Sequence, residues 1–401
     1  MLRASCLASL LLLTSPAALA ASSAGAQAPY PSSRLVNAVT WDFSTLASLR
    51  KAHGSDLWPL TWARDDSLYG AWGDGGGFDG DDDHVGRVSL GFARIDGRPV
   101  AGQVASYSGK NMWGDAPLYA VRQAKFGGKV GTLLSVGGVL YGHGGLWLRR
   151  SGVYRGDNGQ DAQTTVWSTD LGLEWHVAPW TSPTDLGTFL NFGRDNAGAM
   201  DRYVYMYYCR NGDDTRVYLK RVPVDKLTSD PALAGYYQYF THADPGDGES
   251  HWSTAESRGT PIFYDPNHAL GAEVVYDRGL RRFLLTAGHS PSGDYGDASA
   301  GQVGLFEGPH PWGPWATLGY YDDWGRLGPH SVGDFLGLHL PTKWISRDGK
   351  RLWAVFSSMR ELDSFNVVRL ELSVDPAESS GGRGSRAALS RSASNRRKIP
   401  R

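Results

Sequence analysis

The amino-acid sequence predicts an all-β fold, specifically a five-bladed β-propeller. Three observations support this prediction: a composition rich in glycine and aromatic residues, a strand pattern that recurs five times, and one short turn motif. The 401 residues include 52 Gly, 15 Trp, 19 Tyr and 13 Phe. Aromatic side chains fit pleated sheets and glycines fit tight turns, and the sequence contains no long amphipathic helical pattern.

A strand-like segment that follows a turn recurs along the chain, and we interpret each copy as the second strand of a sheet. The copies are centred near residues 70, 141, 205, 285 and 354. They comprise residues 68–72, 139–143, 203–207, 283–287 and 352–356. Five units of about 70 residues, rich in short strands, are typical of a propeller. Two packed β-sandwiches are the alternative, but they do not require a fivefold spacing.

Residues 168–175 match the Ser-x-Asp-x-Gly-x-x-Trp pattern of an Asp-box. Such boxes occupy hairpin turns at the rim of sialidase-type and related propellers. We therefore expect Asp170 to accept hydrogen bonds from backbone amides and Trp175 to pack between two sheets. The motif indicates a fold and does not indicate catalysis.

The first twenty residues have the pattern of a secretory signal. Arg3 is followed by the apolar run Leu7–Leu13, and Ala18-Leu19-Ala20 forms a small-residue cleavage site. Without this segment only Cys209 remains, so an internal disulfide is excluded. No other segment approaches the ~20 apolar residues of a membrane helix. We expect a secreted or periplasmic bacterial protein that is a monomer.

The charges are unevenly distributed. Residues 379–401 contain seven basic and no acidic residues, whereas residues 21–378 carry a net charge of −9. An acidic body does not suit nucleic acid or a polyuronate, which are bound by basic surfaces. The predicted organisation is a signal peptide (1–20), a lead-in (21–53), a single propeller (54–376) and a basic disordered tail (377–401).

The topology of a propeller sorts the polar residues. The innermost strand of each blade starts at the end of the ring where functional sites lie, and the second strand returns to that end. Residues that begin inner strands or follow second strands therefore converge on one funnel. The candidates for catalysis are Asp56, Asp74 and Glu273. The candidates for substrate binding are Trp58, Trp72, His143, His289, Lys343 and Arg360. Two carboxyl groups can hydrolyse a glycoside, since one protonates the leaving oxygen and the other activates water or attacks.

Each candidate also has a structural interpretation. Asp74 precedes three glycines and can shape a turn, and Asp56 can cap one. Glu273 can be a core residue paired with Lys343, and the two histidines can be structural. Asp65 and Asp66 are expected to form a turn in the lower hairpin of the first blade.

The acidic stretch Asp79–His84 can hold Ca²⁺, because clustered carboxylates supply hard oxygen ligands. It lacks the alternating spacing and terminal glutamate of an EF-hand loop. A solvated acidic loop is therefore the favoured interpretation, and no other cofactor or metal site is expected.

Two short motifs carry a family resemblance. Gly54-Ser55-Asp56 followed by Trp72-Gly73-Asp74 resembles the paired elements that open a bacterial family of exported propellers, formerly of unknown function, related to endo-D-arabinanases. Further similar segments are residues 217–223, 304–307, 311–315 and 343–349. The resemblance spans about residues 54–372. It implies that Asp56 and Asp74 form the catalytic pair, and that Glu273 matches a general acid from a later blade. Gly75 replaces the threonine of the family pattern, which weakens the expectation of D-arabinan as substrate.

Three functions follow from these observations. The leading hypothesis is hydrolysis of a neutral polysaccharide, including furanosidic, arabinan-like ones. A polysaccharide lyase that uses His143, His289 and nearby tyrosines is the second, although an acidic body disfavours an anionic substrate. The third is a propeller that binds glycans without catalysis, since a fold does not define a function.

Overall fold

The structure is a computed structural model. It describes residues 27–80, 86–114, 126–148, 163–210, 213–232, 235–245, 248–267, 272–289, 302–322, 324, 333–359 and 363–381. The predicted signal peptide, Arg360, residues 81–85 of the acidic stretch and the tail from residue 382 lie outside these ranges. None of the described helices is long and apolar enough to cross a membrane.

Five antiparallel sheets form the blades of a β-propeller. The first contains β2 (Asp56–Trp62), β3 (Leu68–Gly73), β4 (Leu90–Gly97) and β5 (Tyr107–Gly114). The second contains β6 (Phe126–Val136), β7 (Val139–Leu148), β8 (Gln163–Ser168) and β9 (His176–Val177). The third contains β10 (Thr188–Phe189), β11 (Tyr203–Arg210), β12 (Asp213–Pro223), β13 (Gln238–Ala243), β14 (Ser250–Ser253) and β15 (Pro261–Tyr264).

The last two blades complete the ring. The fourth contains β16 (Glu273–Asp277), β17 (Arg282–Gly288), β18 (Val303–Gly308) and β19 (Ala316–Tyr321). The fifth contains β20 (Gly333–His339), β21 (Arg351–Met359), β22 (Asn366–Val374) and the N-terminal strand β1 (Val36–Asp42). Two short helices, α1 (Leu46–Leu49) and α2 (Pro376–Gly381), lie outside the sheets.

The ring is closed by β1, which pairs antiparallel with β22, Trp41 opposite Leu370. The stretch predicted as a lead-in thus supplies the outermost strand of the fifth blade. Arg369 of β22 also bonds Asp42 of β1 at 2.6 Å. Joining the two ends of the chain in one sheet protects the edge of β22, which would otherwise be open to pairing with another chain.

The predicted second strands are confirmed: each recurring segment forms the second strand of its blade, as β3, β7, β11, β17 and β21. Second strands lie inside a sheet and are covered by the neighbouring blades, so they carry apolar residues on both faces. All six residues of β3 are buried, for example. Continuous apolar runs of this length are the expected signal of a fully buried strand.

The Asp-box forms the predicted turn between β8 and β9. Oδ1 of Asp170 accepts hydrogen bonds from the amides of Leu173 at 3.2 Å and Glu174 at 3.0 Å. Trp175 stacks on Phe92 of the first blade, with ring centroids 3.7 Å apart and planes at 17°. The motif therefore fastens the second blade to the first, as its sequence indicates.

Removing β1 tests the closure of the ring. A chain that begins at Phe43 leaves the edge of β22 unpaired, so we expect its melting temperature to fall by on the order of 5 °C or more, with a greater tendency to aggregate. A chain that begins at Gln27 is the control. Melting temperatures of the two chains within about 1 °C of each other in calorimetry would contradict a closing role for β1.

Candidate active site

The inner strands surround an axial cavity of about 270 Å³. Residues from all five blades line it: Leu57, Gly131, Thr188, Glu273 and His339, among others. Glu273 and His339 bring ionisable groups into this cavity. Glu273 starts the inner strand of the fourth blade and lines the cavity, whereas Asp56, which starts the inner strand of the first blade, precedes the lining residue Leu57.

Asp56 is the first residue of β2, and its Oδ1 is buried without a hydrogen-bond partner among the described residues. Burial raises the pKa of Asp56 to about 7. The positive charge of Lys129 opposes this rise, whereas the negative charges of Asp74 and Asp363 add to it. A carboxyl group in this environment keeps its proton close to neutral pH.

Asp74 follows directly after β3 and adopts a left-handed backbone conformation, with φ of 50°. Its side chain is 41% exposed, and its Oδ1 lies 2.9 Å from Nζ of Lys129 and 3.9 Å from a guanidinium nitrogen of Arg87. Asp74 is thus an ion-paired carboxylate that solvent can reach. Asp56 and Asp74 therefore differ in environment, as acid and base residues of hydrolases do.

Gly73 allows these groups to approach one another closely, because it has no side chain. A Cβ atom on Gly73 would stand 2.7 Å from Oδ1 of Asp56 and 2.8 Å from Nζ of Lys129. Lys129 also donates a hydrogen bond to the carbonyl of Ser89 at 3.0 Å, which fixes its position. The structure therefore brings the two predicted aspartates together around one lysine.

A β-bulge follows Asp56. Leu57 and Trp58 both have positive φ values, of 72° and 65°, which bulky residues rarely adopt. The fifth blade holds this conformation, because the Leu57 amide donates to Oγ of Ser357 at 2.9 Å and the Leu57 carbonyl accepts from His339 at 2.7 Å. Such backbone strain persists only where neighbours enforce it, and it is common at functional sites.

Glu273 and His339 form a hydrogen-bonded pair in the axial cavity, with Oε1 and Nδ1 2.7 Å apart. Nε2 of His339 must carry a hydrogen, because the Leu57 carbonyl can only accept one. The contact between Nδ1 and Oε1 then requires a second proton, on either the imidazole or the carboxyl group. Burial opposes the charged imidazole, but the charge of Glu273 and the two hydrogen bonds outweigh it and raise the pKa of His339.

The pair formed by Glu273 and His339 is connected to the aspartates through the backbone. His339 bonds the carbonyl of Leu57, the residue next to Asp56. The three predicted carboxyl groups therefore belong to one end of the ring, where the inner strands start. Glu273 is not paired with Lys343, which was the structural alternative for it.

Two predicted substrate-binding residues lie in the core of the first blade. Trp58 and Trp72 are buried, and their rings stack with centroids 5.8 Å apart. Their indole nitrogens donate to the carbonyls of Ser55 and Gly75. Neither ring offers a face to a ligand, because the bulge after Asp56 turns Trp58 inward. Both rings support the segments that carry the two aspartates.

The two predicted histidines are buried, His143 within a second strand and His289 just after one. His143 lies 3.3 Å from the Gly187 carbonyl, and burial together with Lys220 lowers its pKa to about 3, so it is neutral. His289 stacks on Tyr320 with centroids 3.9 Å apart, and its Nε2 lies 3.2 Å from Asp322. Neither histidine lines the axial cavity.

Lys343, predicted to bind substrate, lies away from the candidate site. It lies in the hairpin between β20 and β21 and donates to the backbone carbonyl of Asp66, in the hairpin that ends β2. This is the end of the ring opposite Asp56. The position follows from the inner strand of the fifth blade, which is Gly333–His339 and precedes Lys343. Arg360, the remaining candidate, lies outside the described residues.

Sequence reasoning missed Lys129, Arg87 and His339. Lys129 is the fourth residue of the inner strand β6 in the second blade, a position that the propeller topology predicts to be close to the site. His339 ends the inner strand β20, whose apolar residues are interrupted by Gly337 and so form no continuous run that would reveal it. A search of every inner strand for charged residues would have found both.

Comparisons with known proteins give only weak structural similarity. No protein-family model and no curated protein matches the chain. A Bacteroides ovatus protein provisionally named a hydrolase is 12% identical over 83% of this chain and 90% of its own, with a TM-score of 0.48. A GH43_1 enzyme of Xanthomonas citri is 12% identical (82% and 94% covered, TM-score 0.44). An α-L-arabinofuranosidase of Podospora anserina is 10% identical (81% and 92% covered, TM-score 0.41). TM-scores this low carry no inference about the activity of this chain.

The raised pKa of Asp56 predicts a pH-dependent stability. Below about pH 3 the carboxyl is protonated in the folded and unfolded chains alike. As the pH rises towards 7, the unfolded chain ionises and the folded one does not, so this group lowers the stability of the fold by on the order of 1.4 kcal/mol per pKa unit. Asp56→Asn removes the effect, so the variant should be more stable than the parent at about pH 8 and similar to it below about pH 3.

Chemical denaturation across this pH range measures the difference. Asp277, whose pKa burial also raises to about 7, is present in both chains and cancels. Asp225→Asn is the matched control and should bring no gain in stability, because Asp225 is exposed and lies in the 3-10 turn after β12, away from Asp56. Equal stability of the Asp56→Asn variant and the parent at about pH 8 would contradict a buried, proton-bearing Asp56.

Proposed function

We infer that this protein is a glycoside hydrolase acting on a neutral polysaccharide. One observation supports this most strongly: a buried carboxyl with a raised pKa, Asp56, lies beside an exposed carboxylate, Asp74, around a shared lysine. Glycoside hydrolysis needs one protonated and one ionised carboxyl group at a time. The acidic charge of residues 21–378 favours a neutral substrate over an anionic one.

In the proposed reaction Asp56 is the general acid and protonates the leaving glycosidic oxygen. Asp74 is the carboxylate that attacks the anomeric carbon or activates a water molecule. Lys129 has two roles: it holds Asp74 and stabilises the negative charge on Asp56 after the proton has left.

Glu273 and His339, which line the axial cavity, are proposed to contact the substrate. Because the proton in their hydrogen bond is shared with His339, the other carboxyl oxygen of Glu273 can accept a hydrogen bond from a sugar hydroxyl group. We assign Glu273 to substrate binding, with general acid catalysis as the alternative role that the family resemblance implies. A furanosidic, arabinan-like glycan remains the substrate class that this resemblance favours.

A lyase is the weaker candidate. Its proton transfer would need a histidine or tyrosine exposed to the substrate. His143 is neutral and buried, and His289 is buried. His339 lines the axial cavity, but its two ring nitrogens are engaged by Glu273 and the Leu57 carbonyl.

Substituting the two aspartates tests the proposal. We expect the parent chain to release reducing ends from at least one member of a panel of neutral polysaccharides. Asp56→Asn and Asp74→Asn should each lower kcat by about 10²–10⁴-fold, because each removes one half of the acid–base chemistry. Asp225→Asn alters an exposed aspartate in the short 3-10 turn that follows β12 and should leave kcat unchanged.

The outcome separates the candidate functions. Unsaturated products with strong ultraviolet absorbance would identify a lyase instead. Binding of a glycan in calorimetry without any hydrolysis would identify a binding protein. Turnover by Asp74→Asn equal to that of the parent would remove Asp74 from the mechanism.

A further inference from the structure

The outer edge of the third blade carries a second cluster of chemically active side chains. His242 of β13 lies directly opposite His251 of β14, and their rings stack with centroids 4.3 Å apart and planes at 8°. Asp244 follows at the end of β13. The possible metal-binding atoms of these three residues all lie within 4.8 Å of one another, the one such group found in the described part of the chain.

A neighbouring hydroxyl group sets the tautomer of His242. Oγ1 of Thr241 donates its only proton to the carbonyl of His251 at 3.0 Å. In its 3.2 Å contact with Nδ1 of His242, Thr241 can therefore only accept. The hydrogen must lie on Nδ1, which leaves the lone pair of Nε2 available. Metal-binding histidines are oriented in this way by a partner on the other ring nitrogen.

The ring nitrogen Nε2 of His251 is buried and makes no hydrogen bond to any residue that the structure describes. It faces Asp244, with Nε2 and Oδ2 3.2 Å apart. The other carboxylate oxygen of Asp244 lies 3.9 Å from Nε2 of His242. Ligands at about 2.0–2.2 Å from a tetrahedral zinc ion are separated by roughly 3.3–3.6 Å. One spacing here is slightly shorter and the other slightly longer, so small side-chain shifts bring both to the values for one ion.

The backbone holds Asp244 in place. Its amide donates to the carbonyl of Glu249 at 2.9 Å, and its own carbonyl accepts from the amide of Gly248 at 3.0 Å. The paired strands fix the backbone of the two histidines in the same way. The backbone of the ligand set is therefore ordered without an ion, which lowers the cost of binding one. On binding, the two partly exposed imidazole rings turn out of their parallel stack so that both Nε2 lone pairs point at the ion.

We propose that Nε2 of His242, Nε2 of His251 and the carboxylate of Asp244 bind a zinc ion, with water as the fourth ligand. Two imidazoles and one carboxylate suit Zn²⁺, whereas Ca²⁺ and Mg²⁺ take oxygen ligands. The site lies on the outermost strands of its blade and contains no residue of the candidate active site. Its ion fastens β13 to β14.

Zinc titration of the untagged, metal-free full chain tests this site. We expect one zinc ion per chain in calorimetry, no comparable binding of Ca²⁺, and a higher melting temperature with zinc. His242→Ala and His251→Ala should each weaken zinc binding at least about 100-fold, because each removes a ligand. Thr241→Val should weaken it by about 10-fold, because it removes the group that sets the tautomer.

His176→Ala is the matched control, since His176 is an exposed histidine outside the cluster, stacked on Trp167. It should bind zinc as the parent does. Absence of stoichiometric zinc binding by the parent would overturn the proposal. An unchanged affinity in His242→Ala, whose side chain is 63% exposed and tolerant of replacement, would do the same.

Discussion

The candidate site depends on the hydrogen bonds by which the fifth blade holds the backbone of Leu57. Its amide is bound by Ser357 of β21 and its carbonyl by His339 of β20, across the boundary between the last and first blades. These bonds enforce the bulge that follows Asp56 and so set where that carboxyl group lies. They exist only because the ring is closed, and β1 closes it by pairing with β22.

The same arrangement explains why the site lowers the stability of the fold. A largely buried carboxyl with an unpartnered oxygen, two bulky residues at positive φ and a lysine shared by ion pairs are each unfavourable or neutral for stability. The buried second strands of the blades supply the compensating apolar burial. Strained and poorly satisfied groups that persist in this way are typical of functional sites, where stability is exchanged for activity.

The sequence was sufficient for the fold because its strongest signals come from buried strands and from the Asp-box. It also predicted that Asp56 and Asp74 lie close together, because their positions depend only on chain order in a propeller. It was not sufficient to predict the direction in which a side chain points or the end of the ring at which some residues lie. Trp58 points into the core because of a bulge that no residue type indicates. His339 was missed because the inner strand β20 has no continuous apolar run, and the end of that strand at His339 puts Lys343 at the opposite end of the ring. Lys129 was missed because only its three-dimensional neighbours distinguish it from an ordinary strand lysine.

The most direct test of this account is a titration of the aspartate carboxyl groups by carbon-13 NMR, with the Asp56 signal assigned by its loss in Asp56→Asn. We predict an apparent pKa of about 7 for Asp56, moving higher in Lys129→Met because the lysine charge opposes the rise. An Asp56 carboxyl that titrates below about pH 5 in the parent chain, near the ordinary range for aspartate, would contradict the account.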